Sequence, residues 1–467
     1  MTTQTPPVLD AILTAGARRI DTKARFMSTH SILVEISDED IGDSVEDVSL
    51  RMDGRDVDLG PCRLMREPEL AGQHMRRAVP DSTMLDFNAL FFRSRVEQLE
   101  TDSMSMALML RYKDSIEPSF KNYVTDITYD LNTYKNRLDR LEAEGEHEPP
   151  EVRAVIDKHV FEGMGKKLME YLDDRMLELK YITTNFSSSE HEHHGFYFRR
   201  QMWNILISVP IMARTNLKPR GYAGDSEMMR MIYQKEIMGD SLFGRILHKY
   251  AIELPAAQAV RNRRSVLAHA LDEYVVTSGI PAHERVRVLS VACGPVYELY
   301  DILKTKEDAA RLHFSLLDQD QHALLEAAKV VKDRETVLEA PVSVDFIRES
   351  VRTMLATDKL KQQWGQFNFI YSMGLFDYLT APTATAVLKK LYQLLKPGGE
   401  AVIGNYRVQN PNRLFMEYWL DWKILLRSDN EFIGLADTLS GAATRLEFDA
   451  TNIQMMLHIK KPANGDA

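Results

Sequence analysis

Residues 288–298 read Val288-Leu289-Ser290-Val291-Ala292-Cys293-Gly294-Pro295-Val296-Tyr297-Glu298. An apolar, β-branched run stops in a loop of small residues with one Gly and one Pro, which is how a buried strand ends at a turn. Toward the C-terminus the pattern returns at 313–317, 342–347, 367–371, 400–405 and 452–458, with helical spacing in the gaps. Short apolar strands alternating with helices predict an α/β fold. The sheet is expected to be parallel, doubly wound and Rossmann-like, covered on both faces. This domain is placed at 281–467.

In such a sheet, ligands bind at the carboxyl ends of the strands. Gly294, flanked by Ala292 and Cys293, lets the backbone approach a ligand closely. The G-x-G-x-x-G pattern of dinucleotide sites is missing, which argues against NAD or FAD. Strand two ends Leu316-Leu317-Asp318-Gln319-Asp320, with Asp318 24 residues past Gly294. A carboxylate there accepts hydrogen bonds from both hydroxyls of a ribose, or it caps the helix that starts near Gln321. Strand three runs into Arg348-Glu349-Ser350-Val351, where an adenine edge would be read. Strand four runs into Ser372-Met373-Gly374-Leu375-Phe376-Asp377-Tyr378-Leu379. Leu395-Lys396-Pro397-Gly398-Gly399 then ends a helix and turns the chain into strand five.

Taken in order, residues 290–298, Asp318, the strand-four segment and Leu395 to Gly399 resemble the class I S-adenosylmethionine-dependent methyltransferases. The resemblance implies S-adenosyl-L-methionine as cofactor, held by Ala292, Cys293, Gly294, Asp318, Gln319, Ser350, Val351 and Ser372. The chain departs from the family pattern in one loop. The usual acidic residue is Ser290, the first Gly is Ala292 and the last is Val296. That departure keeps open a non-catalytic, cofactor-binding sensor. A narrower resemblance covers roughly 191–461. Lys218-Pro219-Arg220-Gly221-Tyr222-Ala223-Gly224-Asp225, Gln258 to Arg264, Ser372 to Leu379, Asn405-Tyr406 and Trp419-Leu420-Asp421-Trp422 resemble the bacterial methyltransferases that make 3-hydroxypalmitic acid methyl ester, an extracellular signal. It implies a small-molecule acceptor, first a fatty or hydroxy-fatty acid carboxylate.

Methyl transfer from a sulfonium is a direct displacement, so alignment supplies much of the rate. A carboxylate is already ionised near neutrality and needs no base. Arg220 would pair with the substrate or cofactor carboxylate, or brace its loop through Asp225. Tyr222 would close over the cofactor. Arg261 and Arg263 reach the cofactor carboxylate or lie on a solvated face. Another O or N acceptor needs a base. His191, His193 and His194, read as part of a loop at 187–195, then supply it, with His193 as the candidate; otherwise the cluster is structural or binds a metal. No metal is assigned.

The chain has 467 residues, 44% of them hydrophobic and 27% charged, which suits two or three globular domains. Two distant cysteines, Cys62 and Cys293, and no secretory leader fit a reducing, cytoplasmic setting. A net charge of −10 argues against nucleic acid as the main partner. No run of about 18 apolar residues predicts a membrane span. Residues 1–86 alternate like a small β domain, with a hairpin turn at Asp53-Gly54. Its Arg18, Arg19 and Arg25 resemble the start of a PilZ domain, which binds cyclic dinucleotides; solvated charges are the alternative. Residues 87–280 read as successive helices, with a break near Pro118, and are placed as a lid over the site. The sequence sets no oligomeric state.

Overall fold

A computed structural model describes residues 8–28, 31–36, 41–52, 55–66, 75–81 and 113–463. The chain divides into two compact units, Met1–Ser115 and Ile116–Ala467. The expected domain edge near residue 86 and the Asp53-Gly54 turn lie outside the described residues.

The first unit is an eight-stranded antiparallel sheet. Its strands are β1 (Val8–Ala15), β2 (Arg18–Ser28), β3 (Ser31–Glu35), β4 (Ser44–Val45), β5 (Asp47–Met52), β6 (Arg55–Asp58), β7 (Cys62–Arg66) and β8 (Met75–Pro80). They run in the order β4-β7-β8-β3-β2-β1-β5-β6. Alternate side chains such as Leu13, Val34, Val48, Leu50 and Leu64 are buried together, as period-two patterning demands.

The second unit opens with helices Pro118–Glu144, Pro150–Val160, Lys166–Ile182, Ser188–Gln201, Pro210–Leu217, Ser226–Gln234, Leu242–Glu253 and Pro255–Thr277. Pro118 starts its helix instead of breaking one, because a first-turn proline has no intrahelical N–H to lose. The stretch 187–195, expected as a loop, is mostly helix. Ser187 accepts the Glu190 N–H while Glu190 accepts the Ser187 N–H, a capping box that starts the helix at Ser188. Tyr406, which ends the fifth strand of the second sheet, and Phe415, Tyr418, Trp419 and Trp422, which follow it, are buried in this same helical core.

That sheet comprises β9 (Val286–Val291), β10 (Leu312–Asp318), β11 (Ser343–Arg348), β12 (Phe367–Ser372), β13 (Leu395–Tyr406), β14 (Ala443–Phe448) and β15 (Gln454–Lys460). Its order is β11-β10-β9-β12-β13-β15-β14. The five strands from β11 to β13 are parallel, and the fold is Rossmann-like. The expectation of an all-parallel sheet fails at one edge, where β15 runs antiparallel to both β13 and β14. The connection 449–453 is too short for a parallel crossover, which needs about a dozen residues. Asp449 closes it as a tight turn, its Oδ1 accepting the Ile453 and Gln454 N–H groups at 3.0 and 2.8 Å. Among the described residues, no helix is long and apolar enough to cross a membrane.

Candidate functional site

β9 and β12 are neighbours, although two strands separate them in sequence. The chain winds outward from β9 to β11 and returns on the other side, so a crevice opens at the carboxyl ends of β9 and β12. A cavity of about 420 Å³ lies there.

One end is built by the strand tips. Cys293 N–H donates to Leu317 O at 2.9 Å, tying the β9 loop to β10. Gly294 N–H donates to Asp318 Oδ2 at 2.9 Å, and Asp320 N–H donates to Asp318 Oδ1 at 2.9 Å. Burial pushes the Asp318 carboxyl above its usual pKa, and these N–H groups oppose the rise. Ala292, Gly294 and Val296 all have left-handed backbones, with φ of +52°, +58° and +49°. The loop therefore keeps a conformation glycine favours while carrying Ala and Val at two such positions, at roughly 1–2 kcal/mol each. A Cβ on Gly294 would meet nothing within 4 Å, so the space before it is open.

The other end is built by the β12 loop and the helices. Arg263, on the helix Pro255–Thr277, is 8% exposed. Its Nε donates to Tyr233 Oη at 2.9 Å and its Nη1 to Met373 O at 3.0 Å. Its Nη2 meets only Met229 Sδ, at 3.5 Å. Among the described residues this buried cation holds no ion pair, although it lines the cavity. Asp377, after β12, is also buried there; its Oδ1 accepts the Tyr406 N–H at 2.7 Å. Burial raises its pKa to about 7, against the pull of that N–H and of the Arg263 and Arg427 charges. Tyr378 Oη accepts from Trp422 Nε1 at 2.7 Å. Gly224 lies against this pair, and a Cβ there would stand 2.4 Å from Tyr378 Oη.

Of the residues singled out from sequence, Ala292, Cys293, Gly294, Asp318, Gln319, Ser350, Val351 and Tyr222 line this one cavity. Four others lie off it. Ser372 is buried beneath, its Oγ donating to Val291 O at 2.8 Å. Arg261 turns away and donates to Ile252 O at 2.7 Å and Ile232 O at 3.2 Å, carbonyls near two helix C-termini. Two residues along a helix point to nearly opposite faces, so Arg263 reaches the cavity and Arg261 does not. Arg220 pairs with Asp320 and Glu326 at 3.3 Å each. It does not brace the loop through Asp225, which pairs with Arg214 at 2.6 Å. His193 sits on the helix Ser188–Gln201, away from the cavity. Its neighbours have structural partners: His194 Nε2 accepts the Glu117 N–H at 3.1 Å, and His191 Nδ1 meets Tyr418 Oη at 3.0 Å. Sequence reasoning missed Asp377 and Tyr378 as cavity walls; the one signal was an acid inside an apolar segment just after a strand.

No protein-family model matches the chain, and no curated protein matches it. Among solved structures, a possible exported protein from Bordetella parapertussis is 19% identical, with a TM-score of 0.42, covering 60% of this chain and 99% of its own. Magnesium protoporphyrin IX methyltransferase from Synechocystis with bound S-adenosylmethionine is 11% identical, with a TM-score of 0.31, covering 44% and 83%. An O-methyltransferase family protein from Burkholderia thailandensis is 15% identical, with a TM-score of 0.33, covering 61% and 77%.

Proposed function

We propose that this chain is an S-adenosyl-L-methionine-dependent methyltransferase acting on a small molecule. The observation that carries the reading is the Gly294–Asp318 pair, hydrogen-bonded to each other and facing one cavity at the switch point of the sheet. The residues fit a nucleoside-bearing sulfonium. Each Asp318 oxygen accepts one backbone N–H, which leaves lone pairs for ribose hydroxyls. Ser350 and Val351 offer an edge for adenine. Arg263 carries an unneutralised charge for the amino-acid carboxylate. When bound, that cofactor supplies an electrophilic methyl group. This chain's part is to align the acceptor, exclude water and handle any proton.

The finer reading, from the sequence resemblance, is O-methylation of a fatty or hydroxy-fatty acid carboxylate. A second reading, an acceptor that must lose a proton, is favoured by Asp377. Helices of 118–277 act as the cover in either case, since Tyr222, Tyr233 and Arg263 come from that part of the chain. Isothermal titration with S-adenosylmethionine tests the proposal. The native protein should bind, and Asp318→Ala should weaken binding at least tenfold through the hydrogen bonds it removes, each worth about 1.5–3 kcal/mol when charged. Absence of binding to the native protein overturns the proposal.

A further inference from the structure

Asp377 is not needed to hold a nucleoside, yet it is 3% exposed and lines the cavity. Its Oδ1 is taken by the Tyr406 N–H. Its Oδ2 holds no hydrogen bond among the described residues and is not sealed off. Four groups act on it. Arg263 comes from a helix, Tyr406 from β13, and Tyr378 is the next residue. Arg427 donates to Phe376 O at 2.7 Å and to Leu379 O. Among the described residues, neither arginine forms an ion pair with Asp377, although both charges pull its pKa down. Asp377 is therefore a buried carboxyl group in the cavity wall, with one oxygen left without a hydrogen bond among the described residues.

Two further observations bear on the acceptor. The charged side chains lining the cavity are one cation, Arg263, and four acids, Glu298, Asp318, Glu349 and Asp377. Such a wall disfavours an anionic acceptor and favours a neutral or cationic one. Beyond Tyr222, Tyr378 and Trp422, which serve both spaces, lies a second cavity of about 410 Å³. It is lined by Arg199, Lys218, Lys423, Glu192 and Asp421, a polar vestibule and not an alkyl slot.

Resting on the cofactor reading above, we infer that Asp377 takes the proton from an acceptor whose nucleophile is a hydroxyl or amine, and whose polar remainder lies in the vestibule behind Tyr378. In the transfer, a lone pair of the acceptor oxygen or nitrogen forms the new bond to the methyl carbon. The carbon–sulfur bond breaks with its electron pair staying on sulfur. The proton of the acceptor heteroatom passes to Asp377 Oδ2, which ends neutral.

Asp377→Asn keeps the shape and the Tyr406 contact. The first readout needs no acceptor. A cation entering this cavity lowers the pKa of a carboxyl that faces it, so binding S-adenosylmethionine near pH 7 should release roughly a few tenths of a proton. Calorimetry in two buffers of different ionisation enthalpy measures this release, and Asp377→Asn should reduce it with its Kd within about threefold of native. The second readout is methyl transfer from labelled S-adenosylmethionine to a polar small-molecule extract and to a lipid extract. Transfer to a hydroxyl or amine of the polar extract should rise roughly tenfold from about pH 6 to about pH 8, and fall about 10²- to 10⁴-fold in Asp377→Asn. The inference is overturned by equal proton release in both proteins, by undiminished transfer in the variant, by a methyl ester as product, or by no transfer from a protein that binds the cofactor. Failure of the native protein to bind overturns the cofactor reading instead.

Discussion

Asp377→Asn also makes a prediction that involves no ligand. The folded protein raises this carboxyl from the usual 3.8 to about 7, chiefly through burial. The stabilisation from its neutral form is fully present below the unfolded pKa and is lost as pH rises through the folded one. At about 1.4 kcal/mol per tenfold change in ionisation, the ionised form costs on the order of 4 kcal/mol at pH values above both. Asparagine cannot ionise and keeps the Tyr406 hydrogen bond. The variant should therefore gain stability relative to native as pH rises, by roughly 2–3 kcal/mol between about pH 5 and about pH 8. Urea unfolding followed by tryptophan fluorescence suits the test, because Trp203, Trp364, Trp419 and Trp422 all lie in the unit Ile116–Ala467. Stability curves of native and variant that run parallel across this range would refute the reasoning.

Four other substitutions follow from the geometry. Gly224→Ala drives a methyl group to 2.4 Å from Tyr378 Oη, so the ring must shift and the Trp422 hydrogen bond breaks; unfolding should show a loss of about 1–3 kcal/mol, with methyl transfer impaired. Gly294→Ala meets no protein atom but places an L-residue at φ +58° with its methyl group in open space before the loop. Stability should fall by about 1–2 kcal/mol, and calorimetry should show a larger loss in cofactor binding. Arg261→Met should lower stability by about 1–2 kcal/mol through the two freed carbonyls, with cofactor affinity unchanged, whereas Arg263→Met should weaken affinity at least tenfold. Equal effects of the two arginine variants on affinity would contradict the placement of Arg263 in the cavity and Arg261 outside it.

The strands that bury both faces were legible because apolar residues dominate their runs; β9 and β10 read from 286–291 and 313–317. β14 was not, since Ala443-Thr444-Arg445-Leu446-Glu447-Phe448 lies at the sheet edge and stays partly exposed along its length. Its polar residues left no core signal. The strand-tip half of the site was legible for the same reason as the strands, because Gly294 and Asp318 sit where buried runs end. The other half was not. Arg263 and Arg261 are indistinguishable by type and differ only in the helix face each occupies. Asp377 acquires its character from burial, against the pull of Tyr406 and Arg427, which the chain supplies only at the end of β13 and after it. The histidine-rich stretch misled because its polarity outweighed the Ser187–Glu190 spacing, which marks a helix start.

The five aromatic side chains that lead from the end of β13 into the helical core bear on how this protein can diverge. Tyr406, Phe415, Tyr418, Trp419 and Trp422 would have no cover if residues 281–467 were expressed without the helices before them. Such a fragment would present a large apolar patch to water and aggregate. Because the helices and the sheet are sewn together by this segment, a lineage cannot acquire a new acceptor by exchanging one part for another. It must instead change single side chains along the cavity wall.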